Sequence, residues 1–368
     1  MHMLRTQSSF RILLWAGLQG VWGVNGAAQV RPVELHGSSC AACSIQLTRI
    51  ISLSDSMVAG LFAFEPLVAR DSSGRWFVTS HLQGIKQIGV FNAAGHLIAA
   101  LGREGKGPGE FSLTKLLTVA PNDSLYVYDT ALLRRTVFGP DLKHARDDAV
   151  PGMMQAVAPL SGGKSIINAN IATPDRVGFP LHLVGENGEI IRSFGAANSI
   201  YKPGDEPLMV RRLTVDDTEN LWAALPNEYT ITRYDSFGRV TASLTRRVAW
   251  LTPWVVPYRY PERPNPSLTA IRFDHESGLL WAQILANDPT WQPPAAPPKA
   301  TQEYRDRTYD TVLEVIDVRT HSVLATRRFP QFMEPFAASR RGVLIPAFRV
   351  DSADRVWLDI YEATLARR

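Results

Sequence analysis

The stretch LTVAPNDSLYVYDT at residues 117–130, followed by RRTVFGPDLKHA at residues 134–145, decides the fold. Each half contains two short strand segments around a turn that is rich in Pro, Asn, Asp or Gly. These residues supply the backbone conformations that hairpin turns need, so each half predicts a β-hairpin. Two hairpins in succession predict a four-stranded antiparallel sheet.

The same pair of hairpins recurs along the chain. Further copies of the first hairpin are LVARDSSGRWFVTS from Leu67, RLTVDDTENLWAAL from Arg212, TAIRFDHESGLLWAQI from Thr269 and a weaker MQAVAPLSGGKSIINA from Met154. Copies of the second hairpin are QIGVFNAAGHLIAALG, LHLVGENGEIIRSFG, YTITRYDSFGRVTASL and VLEVIDVRTHSVLATRR. Five sheets at spacings of about 40 to 75 residues are typical of propeller blades.

A sixth blade can be assembled from both ends of the chain. The C-terminus offers strands at 333–338, 342–350 and 355–363, and IQLTRIISLSD from Ile45 offers a fourth. Pairing the N-terminal strand onto the last blade closes the ring and removes its open edges. A competing register makes 349–357 another copy of the first hairpin and shifts the blade boundaries. We favour closure and predict an all-β, six-bladed β-propeller over residues 45–368.

Composition limits the partners. The 368 residues are 45% hydrophobic, which allows a large core, and the length alone would allow two or three domains. The repeats favour one domain. The formal charge of +4 is small and the basic residues are not clustered, so we predict no nucleic-acid partner.

The N-terminus has the layout of a secretory signal peptide. Arg5 and Arg11 precede an apolar run at 12–24, and Gly26-Ala27-Ala28 offers a small-residue cleavage site. The apolar run is shorter than the roughly 20 residues of a membrane-spanning helix, and no second run of that length follows. We predict a signal peptide at 1–28, an exported, periplasmic or extracellular protein, and no membrane span.

The two cysteines, Cys40 and Cys43, lie in a lead segment predicted at 29–44. In an exported protein their spacing favours a local disulfide whose small loop constrains little of the unfolded chain. Haem attachment would need a histidine where Ser44 stands, and zinc would need two further ligands. Free thiols and a metal site remain the less favoured alternatives.

The segment from Gly102 to Leu142 resembles the repeat of NHL-type six-bladed β-propellers. These repeats begin with a glycine-rich run that ends Gly-Pro-Gly-Glu/Gln-Phe, matched here by Gly107-Pro108-Gly109-Glu110-Phe111. Asp129, and Arg134 or Arg135, match further positions of the repeat. The chain also resembles exported bacterial propellers with an N-terminal Cys-x-x-Cys and a closing strand. The resemblance implies the fold and no particular activity, since unrelated activities occur on propellers.

Two irregular insertions are predicted on one face of one blade. AWLTPWVVPYRYPERPNP at 249–266 leads into the fifth blade, and NDPTWQPPAAPPKATQEYRDRTYD at 287–310 joins its second and third strands. Their prolines stiffen the chain around several aromatic residues. Trp254, Tyr258 and Trp291 are therefore candidate binding residues for a protein, peptide or saccharide-like ligand. The alternative is that these aromatics only pack the loops onto the ring.

The first residues of the inner strands should surround the mouth of the central channel. The candidates are Glu65, Lys115, Gln155, Arg211 or Arg212, Thr269 and Glu334. Their mixed charge suits a polar or zwitterionic ligand. Glu65 and Glu334 belong to adjacent blades and could share a divalent metal such as calcium, or form an acid/base pair. The alternatives are that they are solvated rim charges or that they pair with Lys115 and Arg212.

No complete catalytic motif appears. The eight histidines show no H-x-H or H-E-x-x-H spacing, and no G-x-S-x-G elbow is present. Lactonase-type six-bladed propellers hold a central divalent metal with Glu, Asn and Asp; by that comparison Glu65, Asn168 or Asn227, and Glu334 are the nearest candidates, but the sequences around them do not match that family's motifs. We therefore favour a non-catalytic binding module without a cofactor. A metal-dependent hydrolase or lyase at the channel mouth and a purely structural scaffold are the alternatives.

Overall fold

In a computed structural model, six β-sheets surround a central channel, which confirms the predicted six-bladed β-propeller. The structure describes residues 30–37, 40–54, 65–80, 87–150, 152–195, 206–298, 301–352 and 355–367. The proposed signal peptide at 1–28 lies outside these residues. No helix in these ranges is long and apolar enough to cross a membrane.

Blades one to five each contain four antiparallel strands in chain order, with the first strand innermost. Blade one contains β3 (Pro66–Arg70), β4 (Trp76–Ser80), β5 (Ile88–Phe91) and β6 (Leu97–Leu101). Blade two contains β7 (Thr114–Val119), β8 (Leu125–Asp129), β9 (Arg134–Phe138) and β10 (His144–Ala149). Blade three contains β11 (Met153–Pro159), β12 (Ser165–Asn170), β13 (Leu181–Val184) and β14 (Ile190–Phe194).

Blade four contains β15 (Arg212–Val215), β16 (Leu221–Ala224), β17 (Thr230–Tyr234) and β18 (Val240–Thr245). Blade five contains β19 (Ser267–Asp274), β20 (Leu279–Asn287), β21 (Tyr309–Asp317) and β22 (Ser322–Phe329). Two short helices lie between strands, α1 (Glu206–Met209) and α2 (Gln302–Asp306). The ten hairpins predicted in these five blades are therefore present.

Blade six is closed by the N-terminal strand, as predicted. Its sheet has the order β2 (Cys43–Ser54), β25 (Val356–Arg367), β24 (Val343–Val350). The register of β2 on β25 runs from Cys43 opposite Arg367 to Ser54 opposite Trp357. β24 and β25 pair with each other as the second and third strands of this blade, so the competing register is wrong.

The innermost segment of blade six is irregular. Two backbone hydrogen bonds join it to β24, from Glu334 to Pro346 and from Ala337 to Leu344. The chain then crosses to blade one, where β23 (Ala338–Ser339) pairs in parallel with β3. This segment lines the central cavity as an irregular stretch, and not as the regular strand predicted at 333–338.

The lead segment packs along the outer edges of the ring. β1 (Val33–Glu34) pairs in parallel with β18, and His36 forms a bridge with Ser322 of blade five. Cys40 and Cys43 form the predicted disulfide, with Cα atoms 5.3 Å apart. The disulfide thus stands directly at the start of the closing strand.

The Gly-Pro-Gly loop of blade two is held by Asp129 and Arg134, which bind backbone groups and not each other. The carboxylate of Asp129 accepts hydrogen bonds from the N–H groups of Ser112 and Leu113. The guanidinium of Arg134 donates to the carbonyls of residues 106, 107 and 110. Both matched positions of the repeat are therefore structural.

Candidate functional site

A cavity of about 1430 Å³ runs along the channel and is lined by the inner strands of the blades. The predicted mouth residues that line it are Glu65, Lys115, Gln155, Arg212, Thr269 and Glu334. Arg211, the alternative to Arg212, points away and donates to the carbonyls of Leu208 and Val210. The structure therefore brings the predicted mouth residues together in one cavity, while their role in binding stays a prediction.

Three of these residues occupy the same irregular position in their blades. Pairing of the first two strands shifts register at Lys115 in blade two, at Gln155 in blade three and at Thr269 in blade five. An extra residue of this kind interrupts the ladder and re-aims its side chain. Most side chains of these inner strands pack between blades. The bulges explain how the same strands can place polar side chains in the cavity.

Glu65 and Glu334 are joined by a residue that the sequence reasoning did not select, Arg305. Its guanidinium lies 2.9 Å from Glu334 Oε1 and 3.2 Å from Glu65 Oε1, and it stacks on the Phe332 ring with 4.6 Å to the centroid. Arg305, which α2 carries, therefore lies between the two glutamates, and among the described residues no ion pair joins Arg212 to either of them. A divalent metal ion shared by the two glutamates stays a prediction.

The Glu334 side chain is only 5% exposed. Burial, opposed by Arg305 and aided by Glu65, raises the pKa of its carboxyl group to about 7. The neutral carboxyl is therefore favoured in the folded protein up to near-neutral pH. A raised pKa makes the contribution of Glu334 to stability complete below the unfolded pKa of about 4.5 and lost as pH rises through about 7.

We expect Glu334→Gln to weaken the pH dependence of the free energy of unfolding. Between pH 5 and pH 8 the wild-type protein should lose on the order of 2–3 kcal/mol more than the variant, because each pKa unit corresponds to about 1.4 kcal/mol. Urea unfolding at both pH values measures this difference. Glu303→Gln, which removes an exposed carboxylate paired with Arg307, is the control. Equal pH dependence in Glu334→Gln and wild type would contradict the assignment.

The two insertions are fastened to each other. The Tyr260 hydroxyl donates to the Pro294 carbonyl at 2.8 Å, Arg263 Nη2 donates to the Asp288 carbonyl at 2.6 Å, and Asn287 Nδ2 donates to the Pro264 carbonyl at 2.5 Å. These contacts turn two proline-rich segments into one surface. The predicted location of both insertions on one face of blade five is thus observed.

Trp254 and Trp291 are half-buried within this surface, and Tyr258 is 41% exposed. Trp254 is fixed by its indole N–H, which donates to the Pro266 carbonyl at 2.7 Å, and by Asn227 Nδ2, which donates to its carbonyl at 2.7 Å. Val255 and Val256 beside it are 68% and 66% exposed. Trp254 therefore anchors the loop, while Tyr258 and the two valines form its outer apolar surface.

Tyr258, Tyr304 and Tyr309 connect this surface to the cavity. Burial, followed by the neighbouring hydroxyls of Tyr258 and Tyr304, raises the pKa of Tyr309, which itself lines the cavity. Burial and Tyr304 also raise the pKa of Tyr258. The three phenols thus lie close together, and they join the aromatic loop surface to the channel mouth.

The residues required by the hydrolase hypothesis are engaged elsewhere. Asn168 Nδ2 donates to the carbonyls of Pro180 and Met209, and its oxygen accepts from the N–H of Arg211. Asn227 binds Trp254. Among the described residues no group of three or more His, Cys, Asp or Glu side chains could hold a metal ion. The prediction that the protein needs no cofactor stays a prediction.

Arg272, Arg305 and Tyr309 line the cavity and were missed by the sequence reasoning. The repeats themselves mark Arg272 as unusual, because blades one to four have small or neutral residues at the same position before their first turn. These are Ala69, Thr118, Ala158 and Thr214. Arg305 lies within the second insertion, at 287–310, but nothing in its local sequence indicates which acids it contacts.

The sequence matches no protein-family profile and no curated protein. Solved structures are similar in fold. A Bacteroides fragilis protein classed by inference as exported has a TM-score of 0.56 and 13% identity, over 89% of this chain and 98% of its own. A member of the DUF4221 family from Bacteroides vulgatus has a TM-score of 0.56 and 9% identity, over 88% and 99%. At these identities the likeness shows the propeller fold alone.

A catalytically inactive H270A variant of virginiamycin B lyase from Staphylococcus aureus, in complex with quinupristin, aligns with a TM-score of 0.48 and 12% identity. The alignment covers 88% of this chain and 100% of that one. This likeness is too distant to argue for a lyase activity here.

Proposed function

We propose that the protein is an exported binding module whose ligand enters the channel from the loop-rich face of blade five. The observation that carries the proposal is the continuity between the two features: Arg305 and Tyr309, from the second insertion and its end, line the same cavity as the predicted mouth residues. The aromatic loops and the channel mouth are thus two parts of one site. Export is supported by the N-terminal sequence and by the similar Bacteroides protein.

Assignment to the NHL-type propellers, in the group with an N-terminal Cys-x-x-Cys, is part of the proposal. It is supported by the Gly107-Pro108-Gly109-Glu110-Phe111 run and by the disulfide that precedes the closing strand. It adds no activity to the fold.

The site suits a ligand with charged groups and an apolar part, such as a short peptide with free termini. Arg305, Glu65 and Lys115 provide both signs of charge at the mouth. Tyr258, Val255 and Val256 offer exposed apolar area next to it. Aromatic side chains of this kind contribute much of the affinity in small-ligand and peptide sites. A saccharide would contact the tyrosines but brings no charged groups to this mouth of mixed charge, so we favour the peptide.

The test is retention of tetrapeptides from a synthetic library with free termini, identified by mass spectrometry after ultrafiltration. Wild-type protein should retain a subset of sequences. Tyr258→Ala should lower the affinity for these sequences at least tenfold, because it removes exposed contact area without breaking a loop anchor. The triple replacement Trp254→Ala, Tyr258→Ala, Trp291→Ala should abolish retention.

Phe237→Ala is the matched control, since Phe237 is 62% exposed in the β17–β18 turn on the opposite face. This variant should retain the same peptides as wild type. Circular dichroism melting identifies any variant whose ring has unfolded. Retention of oligosaccharides in place of peptides would overturn the ligand class, and retention of neither would favour the scaffold hypothesis.

A further inference from the structure

One arginine inside the channel stands at a position that blades one, two, three and five fill with apolar residues. Counted back from the first turn of each blade, the counterparts of Arg212 are Leu67, Leu116, Ala156 and Ala270. Packing between blades therefore does not require a cation at this place, and the arginine needs a separate reason.

The Arg212 side chain lies on the face of β15 that is turned toward blade five. On the same strand, Thr214 Oγ1 accepts a hydrogen bond from the N–H of Phe273 in β19 at 3.0 Å. Residues two apart in a strand share a face, and β15 pairs with β16 without a register shift. Because Arg212 also lines the central cavity, its side chain lies where the cavity meets the boundary between blades four and five.

Within the described part of the chain, the Arg212 guanidinium has no hydrogen-bond acceptor. Its Nε atom is enclosed and lacks a partner. Its two Nη atoms are not enclosed and have no acceptor among these residues either, so they are open to the cavity that Arg212 lines. The cavity wall thus carries N–H donors that are available to a ligand.

No carboxylate of the described residues compensates the charge of Arg212. Burial alone lowers the pKa of its guanidinium, and no acid raises it. A guanidinium that has left water without a counter-charge raises the free energy of the folded protein. An anionic group of a ligand would supply both the missing counter-charge and the missing hydrogen-bond acceptors.

Arg305, another arginine at the mouth, differs in this respect. It already contacts Glu334 Oε1 at 2.9 Å and Glu65 Oε1 at 3.2 Å, so a ligand anion would have to compete with two carboxylates. Arg212 has no such competitor among the described residues. The two Nη atoms of one planar guanidinium can donate parallel hydrogen bonds to the two oxygens of a single carboxylate.

We propose that Arg212 binds the C-terminal carboxylate of the peptide ligand, which makes a free C-terminus the group by which the protein selects its peptides. The inference rests on the proposed function and deepens it, because it assigns one end of the ligand to one side chain. Tyr258 and the valines beside it contact the peptide elsewhere. A protein that binds peptides without regard to their C-terminus would therefore keep the proposed function and lose this inference.

A tetrapeptide that the wild-type protein retains, compared with the same sequence as a C-terminal amide, tests the assignment by isothermal titration calorimetry. Wild type should bind the amide about tenfold or more weakly, because hydrogen bonds between charged groups are lost. Arg212→Gln should bind both forms with the weak affinity that wild type has for the amide. Arg212→Lys, which keeps the charge without the planar fork, should keep part of the preference.

Arg319→Gln is the matched control, because Arg319 is a 79% exposed cation in the β21–β22 turn of blade five. It should prefer the free acid as wild type does. Equal affinity of wild type for acid and amide, or an undiminished preference in Arg212→Gln, would overturn this proposal alone. Absence of any retained tetrapeptide would overturn the proposed function as well.

Two melting experiments test Arg212 without a peptide. In sodium acetate, compared with sodium chloride at the same ionic strength, wild type should show a saturable rise in Tm that Arg212→Gln lacks. In sodium chloride alone, Arg212→Leu, which has the residue type of blades one and two, should melt at or above the Tm of wild type, because it removes an uncompensated buried charge. A Tm of Arg212→Leu well below that of wild type, or an equal effect of acetate on wild type and Arg212→Gln, would make the arginine a structural residue and overturn the proposal.

Discussion

Deletion of the closing strand Cys43–Ser54 is expected to prevent folding of the ring. The strand pairs with β25 over its whole length and buries Ile45 and Leu53, which are 2% and 0% exposed. Its loss would open the edge of β25 and expose the apolar faces around it. The free energy of unfolding of a domain is only about 5–15 kcal/mol, so the remaining chain should not fold cooperatively. Circular dichroism and gel filtration of the shortened protein would show this.

Point substitutions within the closing strand measure its contribution to stability in a protein that still contains the strand. Leu53 packs in a cluster that includes Val68 and Trp76 of blade one and Leu358 of blade six, so it joins the last blade to the first. Leu53→Ala should lower the free energy of unfolding by about 2–5 kcal/mol. Ile50→Ala, at a 36% exposed position, should lower it by less than about 1 kcal/mol. Equal effects of the two substitutions would contradict closure by this strand.

Arg135→Met is expected to have the next largest effect on stability. Arg135 is fully buried between blades two and three, 2.7 Å from Asp148, and donates to the carbonyls of Gly163 and Glu186. Its guanidinium also lies over the Tyr126 ring, 4.8 Å from the centroid. Replacement leaves a buried carboxylate and several carbonyls short of partners, which should lower the free energy of unfolding by about 3–5 kcal/mol.

Arg146→Met removes a second, more exposed arginine that pairs with the same carboxylate, that of Asp148. Arg146 Nε lies 3.1 Å from Asp148 Oδ1 with its side chain 35% exposed, so this change should lower the free energy of unfolding by less than about 1 kcal/mol. Urea unfolding of the two variants compares the buried and the exposed arginine on one aspartate. If Arg135→Met were no more destabilising than Arg146→Met, the buried ion pair would not join the two blades as described.

The ring could be predicted from the sequence because its signals are local. Each hairpin carries its own turn residues and strand pattern, as in 117–130, and closure followed from the need to cover an open edge. The irregular inner segment of blade six could not be predicted in this way. Its backbone leaves β24 and pairs with β3, a choice set by contacts between blades and not by its own residues.

The mouth residues could be predicted because each begins an inner strand, and the repeat indicates where these strands begin. The ion pairs of Glu65 and Glu334 could not be predicted, because Arg305 reaches both from a helix inside a long insertion. Arg272 was visible as a departure from the repeat, yet its sequence did not indicate that Asp274 and Arg340 would be its charged neighbours. Side-chain pairing across the channel requires the three-dimensional structure.

A crystal structure of the protein with a tetrapeptide that it retains would test the ligand site most directly. We predict one peptide bound between the Tyr258 surface and the channel mouth, in contact with Arg305 and Tyr309. A peptide bound elsewhere on the ring, or a channel mouth without peptide at a saturating concentration, would contradict the proposed function.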